Sequence, residues 1–140
     1  FLTDYSPGVT SDLVSAFINS GKSQLSVMEV DSSNISRYGV IVPSPGSDGV
    51  AGLVEKPCAD KAPSNLASIG RYILTSDIFK ILKNLPTGVG GEIQLADAID
   101  FQAQKGNVEA IKVNGKRFDC GSVEGFMRAS IFEYSKKNVE

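Results

Sequence analysis

The sequence predicts an α/β fold in which a mixed sheet carries flanking helices. Segments with helical periodicity alternate with segments that have strand periodicity, and a β-rich middle follows the first helix. The chain has 140 residues, of which 41% are hydrophobic, so it can bury a sizeable core. No internal repeat or linker divides the sequence, and residues 1–140 are therefore predicted to form a single domain or part of one.

The first half of the chain predicts one helix and four strands. Residues 10–23 have the apolar spacing of an amphipathic helix, for which Ser11 is the expected N-cap and Gly21 the expected stop. The second and third strands are expected to form a hairpin around a turn-rich loop. The four strands are predicted at residues 24–30, 38–43, 50–57 and 66–74.

The second half predicts three more helices. One helix begins at Ser76 or Asp77 and ends before Pro86, and the next spans residues 91–106. The rest of the chain predicts a strand at residues 108–113, a short strand or strand end at 115–121, and a final helix capped by Ser122.

The composition argues against several classes of protein. A net charge of −2 does not suit a broad nucleic-acid-binding surface, and no apolar run reaches the roughly 18 residues that a membrane span needs. Nothing resembles a signal peptide, so the two cysteines are interpreted as thiols of a cytoplasmic protein. The chain has no histidine, which removes Ser-His and Cys-His nucleophiles and imidazole-based zinc sites. Any chemistry must therefore use carboxylates, lysines, backbone N–H groups or a hard metal ion.

The pattern Glu55-Lys56-Pro57 places two opposite charges where a strand ends. Adjacent strand side chains normally point to opposite faces, so both can serve one site only where the strand stops and twists. Pro57 supplies that stop and favours an extended conformation at Lys56. A carboxylate can accept hydrogen bonds from two hydroxyls and a lysine can meet a phosphate, so the pair suits a phosphosugar. The alternative is a solvated strand end that binds nothing.

Two other positions are candidates for a ligand site. Gly39, which follows Tyr38, opens a strand and would let a ligand hydroxyl approach the backbone, although strand geometry alone also explains it. Asp119 precedes Gly121 in "RFDCGS" and suits either a magnesium ligand or a turn residue.

Five motifs in order resemble one known family. They read "YGV", "VEKP", "APSNLASIGRYILT", "GEIQLADAI" and "GKRFDCGSVEGF". Their order and spacing are similar to the C-terminal half of the bacterial UTP–glucose-1-phosphate uridylyltransferases, a branch of the sugar nucleotidyltransferases. The resemblance runs over residues 11–134 and is densest over residues 38–126. It implies that the mixed sheet is the C-terminal half of a Rossmann-like nucleotidyltransferase fold.

The resemblance also implies a role for each matching residue. Glu55 would bind sugar hydroxyls, and Lys56 would contact the phosphates. Asp119 would bind Mg²⁺, the implied cofactor, and would be catalytic together with Lys56. The implied substrate-binding set is Tyr38, Gly39, Glu55, Lys56, Ser64 and Asn65.

The implied reaction is attack by a phosphate oxygen of glucose-1-phosphate on the α-phosphorus of UTP, which gives UDP-glucose and pyrophosphate. UTP and glucose-1-phosphate are therefore the implied partners, with neither nucleic acid nor a membrane. Two alternatives stay open. One is a thymidylyltransferase or another sugar-1-phosphate nucleotidyltransferase, and the other is a non-catalytic module that binds sugar phosphates.

The sequence departs from the family on the nucleotide-binding side. The family begins with a glycine-rich loop that binds the nucleotide triphosphate, and nothing here matches it. The chain also begins with Phe1 instead of Met, so we expect a piece that lacks the N-terminal nucleotide-binding part and is inactive alone. Exposed sheet edges and apolar helix faces would favour association, which predicts a homo-oligomer.

Overall fold

The computed structural model describes residues 7–88, 91–113, 115–118 and 120–137. Contacts divide the chain into two compact units, one of Val9–Val113 and the other of Phe1–Gly8 with Asn114–Glu140. The elements in chain order are α1 (Val9–Ser20), β1 (Ser23–Glu29), β2 (Gly39–Pro43), β3 (Val50–Glu55), β4 (Leu66–Ile73), α2 (Ile78–Asn84), α3 (Leu95–Gln104), β5 (Val108–Lys112) and α4 (Val123–Lys137).

The five strands form one sheet in the order β3-β2-β4-β1-β5. β1 and β5 run parallel, whereas the other neighbours are antiparallel. β2 and β3 form the predicted hairpin, which the Ser44 N–H closes by donating to the Gly49 carbonyl at 2.8 Å. The predicted α/β class with a mixed sheet is therefore confirmed.

Alternation along β1 shows that α1 and α3 cover opposite faces of the sheet. Ser23 and Leu25 point toward α3, where the Ser23 hydroxyl donates to Gln102 Oε1 at 2.9 Å. Gln24 points the other way and donates to the Ser20 hydroxyl of α1 at 2.9 Å. The main core lies between the sheet and α3 and contains Leu25, Val27, Ile41, Val50, Leu53, Ile78, Ala98, Ile99, Ala103 and Val108.

The elements differ from the prediction most clearly at the start of α1, at the start of α3 and after β5. α1 already contains Ser11 as its third residue, so Ser11 is not the N-cap. α3 begins at Leu95 instead of residue 91, because Gly91 adopts a left-handed φ of 77° and Gln94 is extended. Residues 115–118 and 120–121 contain one isolated bridge residue, Lys116, and no strand.

The second unit contains α4 and the segment before it. The Ser122 hydroxyl accepts a hydrogen bond from the Gly125 N–H at 3.1 Å, so Ser122 caps α4 as predicted. Phe132 of α4 packs against Phe118, with ring centroids 5.2 Å apart, and the Lys116 ammonium lies 4.8 Å from the centroid of the same ring. Of the helices that the structure describes, none is long and apolar enough to cross a membrane.

Candidate functional site

A row of paired residues crosses three strands with a glycine at its centre. Gly39 on β2 pairs with Glu55 on β3 and with Ser68 on β4. Directly paired residues in neighbouring strands point to the same face of a sheet, so Glu55 and Ser68 stand on either side of Gly39. A Cβ atom on Gly39 would lie 3.0 Å from Glu55 Oε2. The missing side chain therefore leaves a depression that the Glu55 carboxylate borders.

The depression opens into a cleft of about 200 Å³, which we call the Gly39 cleft. The sheet supplies part of its lining, and residues 94–96 and Ile99 at the start of α3 supply the rest. Asp100 of α3 accepts a hydrogen bond from the Leu53 N–H at 2.7 Å, which ties α3 to β3 beside the cleft. Among the described residues, Glu55 is the only charged one in the lining, whose sheet members are Gly39, Leu53, Glu55, Ser68 and Tyr72.

Glu55 and Lys56 lie together at the end of β3 because the backbone adopts a left-handed conformation at Lys56. Lys56 has a φ of 45°, in the left-handed region, so the expectation of an extended conformation at this residue is wrong. Its N–H donates to the Tyr38 carbonyl at 3.0 Å, which stabilises the conformation. The Lys56 ammonium lies 3.8 Å from Glu55 Oε1, and the two side chains are 66% and 39% exposed. An ion pair this open adds little stability, and both charges remain accessible to a ligand.

The structure separates the other predicted residues from the cleft lining. Tyr38 packs against the small core of Ile35 and Val40. Ser64 donates from its hydroxyl to the Ile41 carbonyl at 2.7 Å and accepts from the Leu66 N–H at 3.1 Å, so it organises the start of β4. Asn65 is exposed in the loop before β4, and its carbonyl accepts a hydrogen bond from the Val30 N–H at 3.0 Å. Of the predicted substrate-binding set, Gly39 and Glu55 therefore line the cleft, and Lys56 lies beside Glu55.

The predicted metal ligand, Asp119, lies outside the described residues. Within the described part of the chain, no group of three or more Asp, Glu, Cys or His side chains is arranged to hold a metal ion. Glu55 stands beside a lysine, which makes that carboxylate a poor cation ligand.

The β4 and α3 parts of the lining were not predicted from the sequence. Ser68 and Tyr72 are four residues apart, and a regular strand would hold their side chains far from each other. Gly70 between them was the available signal, because a glycine inside a strand often marks a bulge. No comparable signal in the sequence indicated that the start of α3 would close the other side of the cleft.

Comparison with known proteins identifies relatives over most of the chain. The model of the nucleotidyl transferase family matches residues 6–136. A UTP–glucose-1-phosphate uridylyltransferase from Pseudomonas aeruginosa is 46% identical over 130 residues, which are 91% of this chain and 47% of that protein. An apo UDP-glucose pyrophosphorylase structure superimposes with a TM-score of 0.89 at 41% identity, over 97% of this chain and 51% of that one. A UDP-glucose pyrophosphorylase complexed with UDP-glucose gives a TM-score of 0.87 at 41% identity, over 96% and 52%. The chain thus spans about half the length of the curated relatives it matches.

Proposed function

This chain belongs to the nucleotidyl transferase family, and from that premise we propose that it supplies the sugar-phosphate side of a UTP–glucose-1-phosphate uridylyltransferase. The complete enzyme would join glucose-1-phosphate to the uridylyl group of UTP and release pyrophosphate. The names of its relatives and the UDP-glucose complex of a structural neighbour support this reaction.

The observation that carries the proposal is the glycine floor between the Glu55 carboxylate and β4. A sugar ring can lie over Gly39 because no side chain occupies that position, and its hydroxyls then reach Glu55. An ionised carboxylate accepts two or more hydrogen bonds and donates none, so it suits neighbouring hydroxyls. Lys56, on the same rim, would contact the phosphate attached to the sugar.

Two protein groups then contribute to the chemistry by placing the nucleophile. A phosphate oxygen of the sugar attacks the α-phosphorus of UTP, a new oxygen–phosphorus bond forms, and the bond to the pyrophosphate oxygen breaks. Glu55 would hold the sugar in register while the Lys56 ammonium offsets the charge where two anions meet. Phosphoryl-type transfer depends mostly on positioning and charge neutralisation, so a chain without histidine can serve it.

Enzymes that transfer nucleotidyl groups generally use a divalent metal ion, which acts as a Lewis acid on phosphate oxygens. We assign this role to Mg²⁺ and its binding to Asp119, on the resemblance of "RFDCGS" to the family motif. Titration of the chain with Mn²⁺, followed by paramagnetic broadening of NMR signals, tests the assignment. Broadening of signals from residues 117–121 that disappears in Asp119→Asn supports it. Equal broadening in the variant would contradict it.

Binding of glucose-1-phosphate to the 140-residue chain tests the proposed site. We expect Glu55→Gln to weaken binding by at least about ten-fold, because a hydrogen bond to a charged group contributes about 1.5–3 kcal/mol. Lys56→Met should weaken the binding of glucose-1-phosphate more than the binding of glucose, since the lysine is assigned to the phosphate. NMR titration or calorimetry measures both effects.

The chain offers a matched control for each variant. Glu29 also ends a strand and pairs with a lysine, Lys112, at 2.7 Å, so Glu29→Gln should leave binding unchanged. Lys61 is exposed at the end of the short 3-10 helix Ala59–Lys61, and Lys61→Met serves in the same way. Equal losses in the Glu55 and Glu29 variants, or no binding by the unsubstituted chain, would overturn the proposed sugar site.

The expected cytoplasmic location and homo-oligomer belong to this proposal. Support for association comes from α4, which exposes the apolar side chains of Val123, Phe126, Met127, Ile131 and Tyr134. Sedimentation velocity at rising concentration tests it, and a monomer at all concentrations would contradict it.

A further inference from the structure

A second polar wall faces Glu55 across the Gly39 cleft. It consists of the hydroxyls of Ser68 and Tyr72 on β4, where Ser68 Oγ donates to Tyr72 Oη at 3.1 Å. Ser68 is 7% exposed, and the Tyr72 ring packs against the main core.

A β-bulge brings the two hydroxyls together. On a regular strand, residues four apart are separated by about 13 Å. Here Ser68 pairs with Val27 and Tyr72 with Leu25, so four steps along β4 lie opposite two steps along β1. The two β4 residues are therefore only about 7 Å apart along the sheet. Gly70 absorbs the extra length with a left-handed φ of 80°.

We propose that the Tyr72 hydroxyl donates a hydrogen bond to one oxygen of the sugar that lies over Gly39, and that Ser68 fixes the direction of that donor. The inference rests on the proposed function and names residues that would set its sugar specificity. Tyr72 is a binding residue in this assignment. Ser68, which acts through Tyr72, is a positioning residue.

The direction of the Ser68 hydrogen bond makes the second wall a hydrogen-bond donor. Ser68 gives its proton to the phenol oxygen, so the phenol proton points away from Ser68. Glu55 on the opposite wall can only accept. A sugar hydroxyl can donate to one wall and accept from the other, whereas a deoxy position can do neither. A sugar that lacks the matching hydroxyl would leave the phenol proton without an acceptor in a partly dry cleft. An unpaired donor in such a place lowers the affinity for the sugar.

A thermodynamic cycle tests the inference, in which one hydroxyl is removed from the protein, from the ligand, and from both. The affinities of glucose-1-phosphate and of its 2-, 3-, 4- and 6-deoxy analogues are measured for the 140-residue chain and for Tyr72→Phe. In the unsubstituted chain, the analogue that lacks the hydroxyl bound by Tyr72 should bind about three- to ten-fold more weakly than glucose-1-phosphate. In Tyr72→Phe the ratio for this analogue should fall, because the hydroxyl has lost its partner on β4 and only a contact with Glu55 remains.

Ser68→Ala adds a second readout. It should reduce the same ratio partway, and the double variant should behave like Tyr72→Phe alone. Ser26 provides the matched control, since its buried hydroxyl bonds the Arg71 carbonyl on the other face of the sheet. Ser26→Ala should therefore leave all four ratios unchanged. Thermal unfolding of each variant checks that the fold persists, and Tyr72→Phe keeps the ring that packs in the core.

The outcomes separate this inference from the proposed function. If glucose-1-phosphate binds and Glu55→Gln weakens it, but Tyr72→Phe leaves all four ratios unchanged, the inference is wrong and the proposed function stands. If the unsubstituted chain does not bind glucose-1-phosphate, both are wrong.

Discussion

Gly39→Ala should weaken ligand binding while it leaves the stability of the fold nearly unchanged. The added Cβ would lie 3.0 Å from Glu55 Oε2 and 3.5 Å from Leu53 Cδ1. Carbon–oxygen contacts that close require the carboxylate to move by a few tenths of an ångström. The Glu55 side chain is 39% exposed, so it can move into solvent at little cost to the fold.

The expected magnitudes follow from these contacts. Alanine also restricts the unfolded chain, which offsets about 0.4–1 kcal/mol of any strain, so the free energy of unfolding should change by less than about 1 kcal/mol. Ligand affinity has no such compensation, because the methyl group occupies the floor of the Gly39 cleft and displaces the carboxylate. We expect affinity for glucose-1-phosphate to fall at least about ten-fold, or about 1.4 kcal/mol.

Gly106→Ala is the reciprocal control. Gly106 follows α3 with a φ of 73°, and a Cβ there would meet no atom within 4 Å. The substitution should therefore cost about 1 kcal/mol of backbone strain, or roughly 3–5 °C in melting temperature, and leave affinity unchanged. Urea unfolding and calorimetric titration measure the two quantities. If Gly39→Ala binds as tightly as the unsubstituted chain, or if both variants lose affinity in proportion to stability, the glycine floor is not a binding surface.

Three further predictions concern stability. Gln102 is fully buried and bonds Ser23, Thr75 and Asp77 at 2.8–2.9 Å, so Gln102→Leu should cost about 1–3 kcal/mol in urea unfolding; a cost below about 0.5 kcal/mol would contradict this. Hydrogen bonds from Thr75 and then Gln102 lower the pKa of Asp77. Since this pKa is lower in the folded chain, the Asp77 carboxylate stabilises the fold above about pH 4 and loses that contribution as the pH falls through its folded pKa. Asp77→Asn should therefore flatten the pH dependence of the free energy of unfolding below pH 5. An unchanged slope would refute the assignment. Lys56→Gly should be about 1 kcal/mol more stable than Lys56→Ala, since glycine tolerates the φ of 45°; equal stabilities would show that this backbone is not strained.

Local chemistry explains which parts of the fold could be predicted from the sequence. The β2–β3 hairpin follows from two apolar runs around a turn-rich loop, and α4 begins where Ser122 provides a cap. The start of α3 could not be placed in the same way, because residues 91–94 share its helical periodicity. Gly91 and the extended Gln94 interrupt the helix through backbone conformation, which periodicity does not record.

The Gly39 cleft was predictable only where adjacent residues form it. Glu55 and Lys56 could be assigned to one rim, because a strand that ends at a proline indicates where its last side chains stand, whereas Gly39 was assigned to the sugar by the resemblance to a known family. The Ser68–Tyr72 wall depends on a two-residue difference in register between β4 and β1, which exists only once the strands have paired. Pairing register is set by the whole sheet, so no local pattern could place both hydroxyls in the cleft.

The left-handed conformation of Lys56 resolves the difficulty that two adjacent strand residues pose for a single site. In an extended strand Lys56 would point to the face opposite Glu55, but a φ of 45° turns it at the point where β3 ends. The conformation is unfavourable for a lysine and doubly so before a proline. The Tyr38 carbonyl holds it by accepting the Lys56 N–H, and Tyr38 directly precedes the glycine of the cleft floor. One backbone hydrogen bond thus couples the position of the proposed phosphate-binding lysine to the surface on which the sugar would lie, so substitutions that loosen the start of β2 should affect both together.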